Sequence, residues 1–246
     1  MKRIAIKNFP ELDYLCNESM NTLCTNLVYC GDQNKVVLIT SRYANEGKSY
    51  ITLNMMRTFA SLKKRVVLVD TDLRRSSIQR IVEFDYAEEN GKGLADYLAG
   101  LCSSSDIIYE TNIENAYIVP VGRTVESSLP LLTSNYMERL LVQLRERFDI
   151  VLVDTSPVGM IVDGLEVARH CDGALLVVSY KRGKRKEIKS VVEAINNTGC
   201  KVLGTVLNNV NLKTFSSRAY YYDSEKYSKK FYKKYETDGK KKLFGK

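Results

Sequence analysis

Apolar residues along this chain follow two alternating patterns. Residues 35–41, 65–70, 149–154, 173–180 and 201–208 are nearly continuous in Val, Ile and Leu. Unbroken apolar runs predict strands buried on both faces, as in a parallel sheet covered by helices. A weaker run of the same kind covers 116–122. Between the runs the period becomes helical. Met137, Leu140, Leu141, Leu144 and Phe148 share one face, as do Ile188, Val191, Val192 and Ile195, with Gly199 placed as a C-cap. Residues 48–62 are helix-compatible, and 11–30 form another candidate helix with Leu12, Leu15, Leu23 and Leu27 as its apolar points. Residues 86–93, with Glu88, Glu89, Asn90, Gly91 and Gly93, read as an exposed loop. Strand–helix alternation predicts an α/β fold with a doubly wound, mostly parallel sheet, whose ligands bind outside the carboxyl ends of the strands.

From Asn211 onward the apolar pattern fails and Lys and Tyr dominate, which predicts a core domain over 1–210 and a mobile tail over 211–246. Charge divides at the same point. Of the net +8, the tail carries +7 (11 Lys/Arg against 4 Asp/Glu) and the body +1. A chain of 246 residues can bury one good core. No run of eighteen or more apolar residues predicts a membrane span, and the N-terminal segment is too short and interrupted for a signal peptide, so a cytoplasmic protein is expected. The six cysteines lack metal-ligand spacing and read as reduced thiols. His170 is the only histidine, which argues against a Ser-His-Asp triad or a histidine-rich metal site.

Chemistry enters at the ends of the strands. The run 35–41 leads through a short loop to Glu46-Gly47-Lys48-Ser49 at a helix start. Helix N-terminal amides and a lysine grip phosphate there, and the serine hydroxyl can sit on Mg²⁺. Arg42 stands where the full phosphate-loop pattern has glycine, and Asn45 tolerates left-handed backbone better than most residues. Two further runs end in acids, at Asp70-Thr-Asp72 and at Asp154. A rigid strand ending in aspartate is the usual device for holding Mg²⁺ beside a nucleotide. Together the three strand ends predict an ATP–Mg²⁺ site. Lys63-Lys64-Arg65 reads as the cationic close of the helix after the loop. Arg74 and Arg75 could face phosphate, a partner or solvent, and the segment 181–186 anionic lipid headgroups or solvent.

These segments carry a family resemblance. Glu46-Gly-Lys-Ser49, Val69-Asp-Thr-Asp-Leu-Arg-Arg75, Val153-Asp-Thr-Ser-Pro-Val158, Val202-Leu-Gly-Thr-Val-Leu-Asn208 and the tyrosine-rich tail resemble the bacterial tyrosine kinases of capsule and exopolysaccharide synthesis. The closest likeness is to the subtype whose cytoplasmic kinase is separate from its membrane activator. The resemblance implies a P-loop NTPase fold of the deviant-Walker type and an ATP- and Mg²⁺-dependent kinase. That kinase would phosphorylate its own tail, between subunits, and so regulate polysaccharide synthesis or export. By similarity Asn45, Glu46, Gly47, Lys48, Ser49, Tyr50 and Asn208 would bind nucleotide. Ser49, Asp72 and Asp154 would hold the metal, and Lys48, Asp70, Asp72 and Asp154 would form the catalytic set. Asp70 would lie nearest the tyrosine hydroxyl, with a metal-shell role as its alternative; Asn208 would lie beside adenine or simply end a turn. The implied partners are a transmembrane co-polymerase acting as activator at the inner face of the plasma membrane, a tyrosine phosphatase, and further copies of the chain. Asn21 and Cys24 occupy the places of two arginines that accompany ring assembly in the family, which counts against a ring.

Six of the sixteen tyrosines, Tyr220, Tyr221, Tyr222, Tyr227, Tyr232 and Tyr235, lie within the basic tail. Beside a nucleotide site they read as phosphoacceptors; without it they would read as a sticky cationic tail. Each phosphotyrosine adds about −1.5 to −2 charge, so four or five would cancel the tail's positive charge. Nucleic acid is not expected as a partner. The rival readings are a partition- or division-type ATPase switch and a non-catalytic nucleotide-binding scaffold. The switch carries a lysine five residues before the loop lysine, and position 43 here is tyrosine.

Overall fold

The computed structural model describes residues 2–87, 91–180 and 182–210. Its strands are β1 (Lys2–Lys7), β2 (Val36–Ser41), β3 (Val66–Asp70), β4 (Glu83–Tyr86), β5 (Tyr109–Thr111), β6 (Ala116–Val119), β7 (Ile150–Asp154), β8 (Gly173–Ser179) and β9 (Lys201–Asn208). The helices are α1 (Tyr14–Tyr29), α2 (Lys48–Ser61), α3 (Ile78–Ile81), α4 (Leu94–Leu98), α5 (Leu129–Leu132), α6 (Asn135–Arg147), α7 (Asp163–Ala168) and α8 (Arg185–Asn196). Among the described residues one sheet runs β4-β1-β5-β6-β3-β7-β2-β8-β9. From β6 to β9 every neighbouring pair is parallel. Only β1–β4 and β5–β6 are antiparallel.

The continuous apolar runs form the centre because both faces are covered. Val36, Leu38, Val67, Val69, Val151 and Val153 face a cluster that includes α4, α6 and α7. Val37, Ile39, Val66, Leu68 and Leu152 face the opposite cluster, built with α1 and α2. Helix α2 is buried on most sides, from Lys48 to Ala60. The doubly wound, mostly parallel α/β fold is thus present.

Several local expectations are corrected. Strand β1 lies where no strand was expected: only Ile4 and Ile6 of its six residues are buried, too short an alternation to stand out. Tyr86, expected in a loop, ends strand β4 and packs edge-on against Tyr109 with ring centroids 5.4 Å apart. Residues 88–90 lie outside the described residues. Helix α8 closes at Asn197, two residues before Gly199. Lys63 takes φ +61° beyond α2 and pairs with Glu114, while Arg65 stacks over Phe148 and Tyr117, so neither closes the helix by its charge. The tail 211–246, with its expected mobility, lies outside the described residues.

Helix α1 begins at Asp13, whose carboxylate accepts the Cys16 amide at 2.7 Å. It packs on α2 through Cys24 and Leu27. Cys24 is fully buried and Asn21 half-buried.

Candidate functional site

The strand order β3-β7-β2 brings three carboxyl ends side by side. Asp70 and Asp154 are direct register partners across β3 and β7. The loop leaving β2 turns through Asn45 at φ +63° and Gly47 at φ +90°. A side chain at Gly47 would displace Asn208, since its Cβ would lie 2.0 Å from Asn208 Nδ2. Gly47 is the N-cap of α2, and no side chain caps that end. The first amides of a long buried helix are therefore left for an external acceptor.

Lys48 and Ser49 open α2 over the two aspartates. Lys48 Nζ donates to Ser49 Oγ at 3.1 Å and lies 3.7 Å from Asp154 and 3.8 Å from Asp72. Ser49 Oγ donates to Asp154 Oδ2 at 2.6 Å, and Thr52 Oγ1 to Asp154 Oδ1 at 3.2 Å. Thr52 was not anticipated; its position one turn after Lys48 on the same helix face was the available signal. Asp70 accepts from Ser76 Oγ at 2.5 Å and from the Asp72 amide at 3.2 Å.

Two carboxylates, Asp72 and Asp154, thus share one lysine, and Asp70 adjoins both carboxylates without a cation of its own among the described residues. Burial, then the charge of Asp154, raises the proton affinity of Asp70 well above the usual carboxylate range. Burial also raises Asp154 and Asp72, opposed in both by Lys48. A site short of positive charge, with an inward serine hydroxyl, suits a divalent cation. No group of three or more His, Cys, Asp or Glu among the described residues makes a metal cage by itself. A cation here would share its shell with Ser49 and nucleotide phosphates.

A cleft of about 490 Å³ opens above these groups. Asn45, Gly47, Lys48, Ser49, Tyr50 and Asp72 line it on one side. Burial raises the pKa of the Tyr50 hydroxyl. Asp70, expected nearest an incoming hydroxyl, is fully buried and does not line the cleft; the lining carboxylate is Asp72. The Glu46 side chain also turns inward. Its carboxylate accepts the Tyr43 amide at 2.8 Å and the Ser179 amide at 3.1 Å, tying the loop to β8. Asn208 donates to the Glu46 carbonyl at 2.9 Å, so its side chain braces the loop and does not line the cleft.

The flanking cations are pinned in different ways. Arg74 Nε donates to buried Ser128 Oγ at 2.7 Å and lies 3.4 Å from Asp163, which itself accepts from Ser128. Tyr43 donates its hydroxyl to Glu187 at 3.1 Å, and its ring lies beneath Arg42 and Arg182. Tyr220, Tyr221, Tyr222, Tyr227, Tyr232 and Tyr235 lie outside the described residues. No helix among the described residues is long and apolar enough to cross a membrane.

Comparison with known proteins agrees with this geometry. A family model described as an AAA domain matches residues 34–197. The tyrosine-protein kinase CpsD of Streptococcus agalactiae serotype III is 34% identical over 194 residues, which cover 79% of this chain and 82% of that protein. The putative tyrosine-protein kinase CapB of Staphylococcus aureus is 26% identical over 211 residues, covering 85% and 91% respectively. The kinase domain of the Escherichia coli tyrosine kinase ETK shares the fold, with a TM-score of 0.74 at 24% identity over 81% of this chain and 78% of that one.

Proposed function

The chain belongs to the bacterial tyrosine kinases of capsular and exopolysaccharide synthesis, within the AAA domain family, and on that premise we propose that it transfers the γ-phosphoryl group of ATP to tyrosines of its own tail. The observation that carries this reading is the meeting of Lys48, Ser49, Asp72 and Asp154 beneath an uncapped helix start, beside a cleft.

In this reading the α2 amides and Lys48 bind the phosphates. Ser49, Asp72 and Asp154 would hold Mg²⁺, which supplies positive charge to the phosphate oxygens when bound. The tyrosine oxygen forms a bond to the γ-phosphorus as the bond to the bridging oxygen breaks, and ADP leaves. The phenolic proton, with a pKa of about 10, passes to Asp70 in its ionised form, which a bound cation beside it would favour over the protonated one. Asp72 lines the cleft, and Asp70 behind it has the higher proton affinity. Tyr50 flanks the nucleotide, while Glu46 and Asn208 hold the loop in shape.

The acceptors are Tyr220, Tyr221, Tyr222, Tyr227, Tyr232 and Tyr235, presented by a neighbouring copy. The tail's net +7 is cancelled as they are modified, a switch that regulates polysaccharide synthesis or export. A transmembrane activator would hold the chain at the inner face of the plasma membrane, and a tyrosine phosphatase would reset the tail. Asn21 and buried Cys24 supply no guanidinium group to a neighbour, so assembly would use contacts other than the family's arginine pair.

Incubation of the full chain with ATP and Mg²⁺, with and without an activator's cytoplasmic segment, tests the reading. Phosphate on tail tyrosines, lost in Lys48→Met, supports it. Free phosphate with an unmodified tail in both arms would replace the kinase with a switch ATPase. Nucleotide binding with neither product would leave a scaffold.

A further inference from the structure

The cleft is not uniformly charged, and the imbalance bears on which tyrosines it accepts. Its lining includes four cations, Lys48, Arg74, Arg75 and Arg80, against one carboxylate, Asp72. Two of the cations are already balanced: Lys48 by Asp72 and Asp154, and Arg74 by Asp163. Arg75 and Arg80 are both exposed and make no ion pair among the described residues. Arg80 is fixed in place through neutral oxygens only, donating to the Ser76 carbonyl at 3.3 Å and to Ser77 Oγ at 2.9 Å. The same lining carries an apolar set, Ile81, Pro157, Met160 and Ile161, with Met160 63% exposed.

A cleft lined by both unpaired guanidinium groups and apolar side chains fits an aromatic ring with an anion beside it. We propose that Arg75 and Arg80 form an anion-accepting subsite that selects tyrosines flanked by carboxylates or by phosphotyrosine. The inference rests on the reading that tyrosine segments enter this cleft. The tail offers two contrasting kinds of segment. Residues 219–225 hold Tyr220, Tyr221 and Tyr222 with Asp223 and Glu225, a net charge of −2. Residues 229–235 hold Tyr232 and Tyr235 among four lysines, a net charge of +4. The acidic segment is the preferred occupant. Once one of its tyrosines is phosphorylated, the new phosphate is a better partner for the guanidinium groups than a carboxylate, and it recruits the tyrosines beside it.

The test measures binding of fluorescent synthetic peptides to the full chain held with a non-hydrolysable ATP analogue. The peptides are 219–225, the same peptide phosphorylated at Tyr222, and 229–235. The acidic peptide should bind at least about tenfold tighter than the lysine-flanked one, and the phosphopeptide tighter still. Arg75→Ala with Arg80→Ala should erase the ranking. Lys64→Ala with Lys201→Ala, which removes the same charge before β3 and at the start of β9, should preserve it. Equal binding of all three peptides, a ranking that survives in the Arg75/Arg80 variant, or loss of the ATP analogue from that variant would overturn the proposal. Loss of the analogue would assign the two arginines to the nucleotide. Tyrosine phosphorylation without peptide ranking sinks this inference alone. Ranking without any phosphorylation sinks the kinase reading alone.

Discussion

The loop conformation depends on a glycine that cannot be replaced without two separable penalties. In Gly47→Ala the alanine backbone must hold φ +90°, and the added Cβ meets Asn208 Nδ2 at 2.0 Å. Holding a non-glycine residue in left-handed geometry costs about 1–2 kcal/mol. Pushing Asn208 aside breaks its 2.9 Å bond to the Glu46 carbonyl, a further ~0.5–1.5 kcal/mol. The total is roughly 2–3 kcal/mol, or a fall in Tm of roughly 5–10 °C for a domain of this size. Asn208→Ala alone loses only the bond. The double variant loses the bond once and keeps the backbone strain, so the cycle should show a coupling of about 1 kcal/mol. Thermal unfolding of the four full-length proteins measures it. Titration with a fluorescent nucleotide should show Gly47→Ala weakened by about tenfold or more, because the α2 amides move with the loop. A Gly47→Ala protein that melts with the wild type, or penalties that simply add in the double variant, would refute the reasoning.

Other predictions follow from the same geometry. Asp70 holds its proton more tightly when folded, so in ligand-free protein with chelator its contribution is fully present below the unfolded value of about 4 and is lost as pH rises through the raised one. Asp70→Asn should flatten that decline and stabilise the protein at pH 8 by roughly 1–3 kcal/mol; urea unfolding at pH 5 and 8 checks it, and parallel slopes would count against the buried-charge explanation. Restoring arginines on α1 should have unequal effects. Cys24→Arg places a guanidinium in a fully buried position and should cost about 3–5 kcal/mol, whereas Asn21→Arg at a half-buried position should stay within about 0.5 kcal/mol. Equal melting temperatures for the two variants would contradict the packing of α1 on α2.

How far the sequence could be read depended on what surrounds each element. Strands β2, β3, β7 and β8 were legible because helices cover both their faces, so every position is buried and nearly every one is apolar. Strands β1, β4 and β5 lie toward one edge. The Glu83–Tyr86 run buries only alternate residues, and those only partly, so its signal resembles a polar loop. The site divides in the same way. Lys48, Ser49, Asp70, Asp72 and Asp154 stand at strand ends or a helix start, where position along the chain predicts position in space. Thr52 on Asp154, and Ser128 with Asp163 on Arg74, are pairings between segments far apart in the chain, while Ser76 reaches Asp70 across the loop that leaves β3. The inward turn of Glu46 depends on an amide of β8, 133 positions away. Nothing local in the sequence reports that contact.

The central claim is that this site delivers phosphate to the chain's own tyrosines. The direct measurement is site-resolved mass spectrometry of the full-length protein after incubation with ATP and Mg²⁺ in the presence of an activator segment, alongside Lys48→Met. The account predicts phosphate within residues 220–235 of the wild type and none in the variant. Phosphate released to solvent with every tail tyrosine unmodified would contradict it.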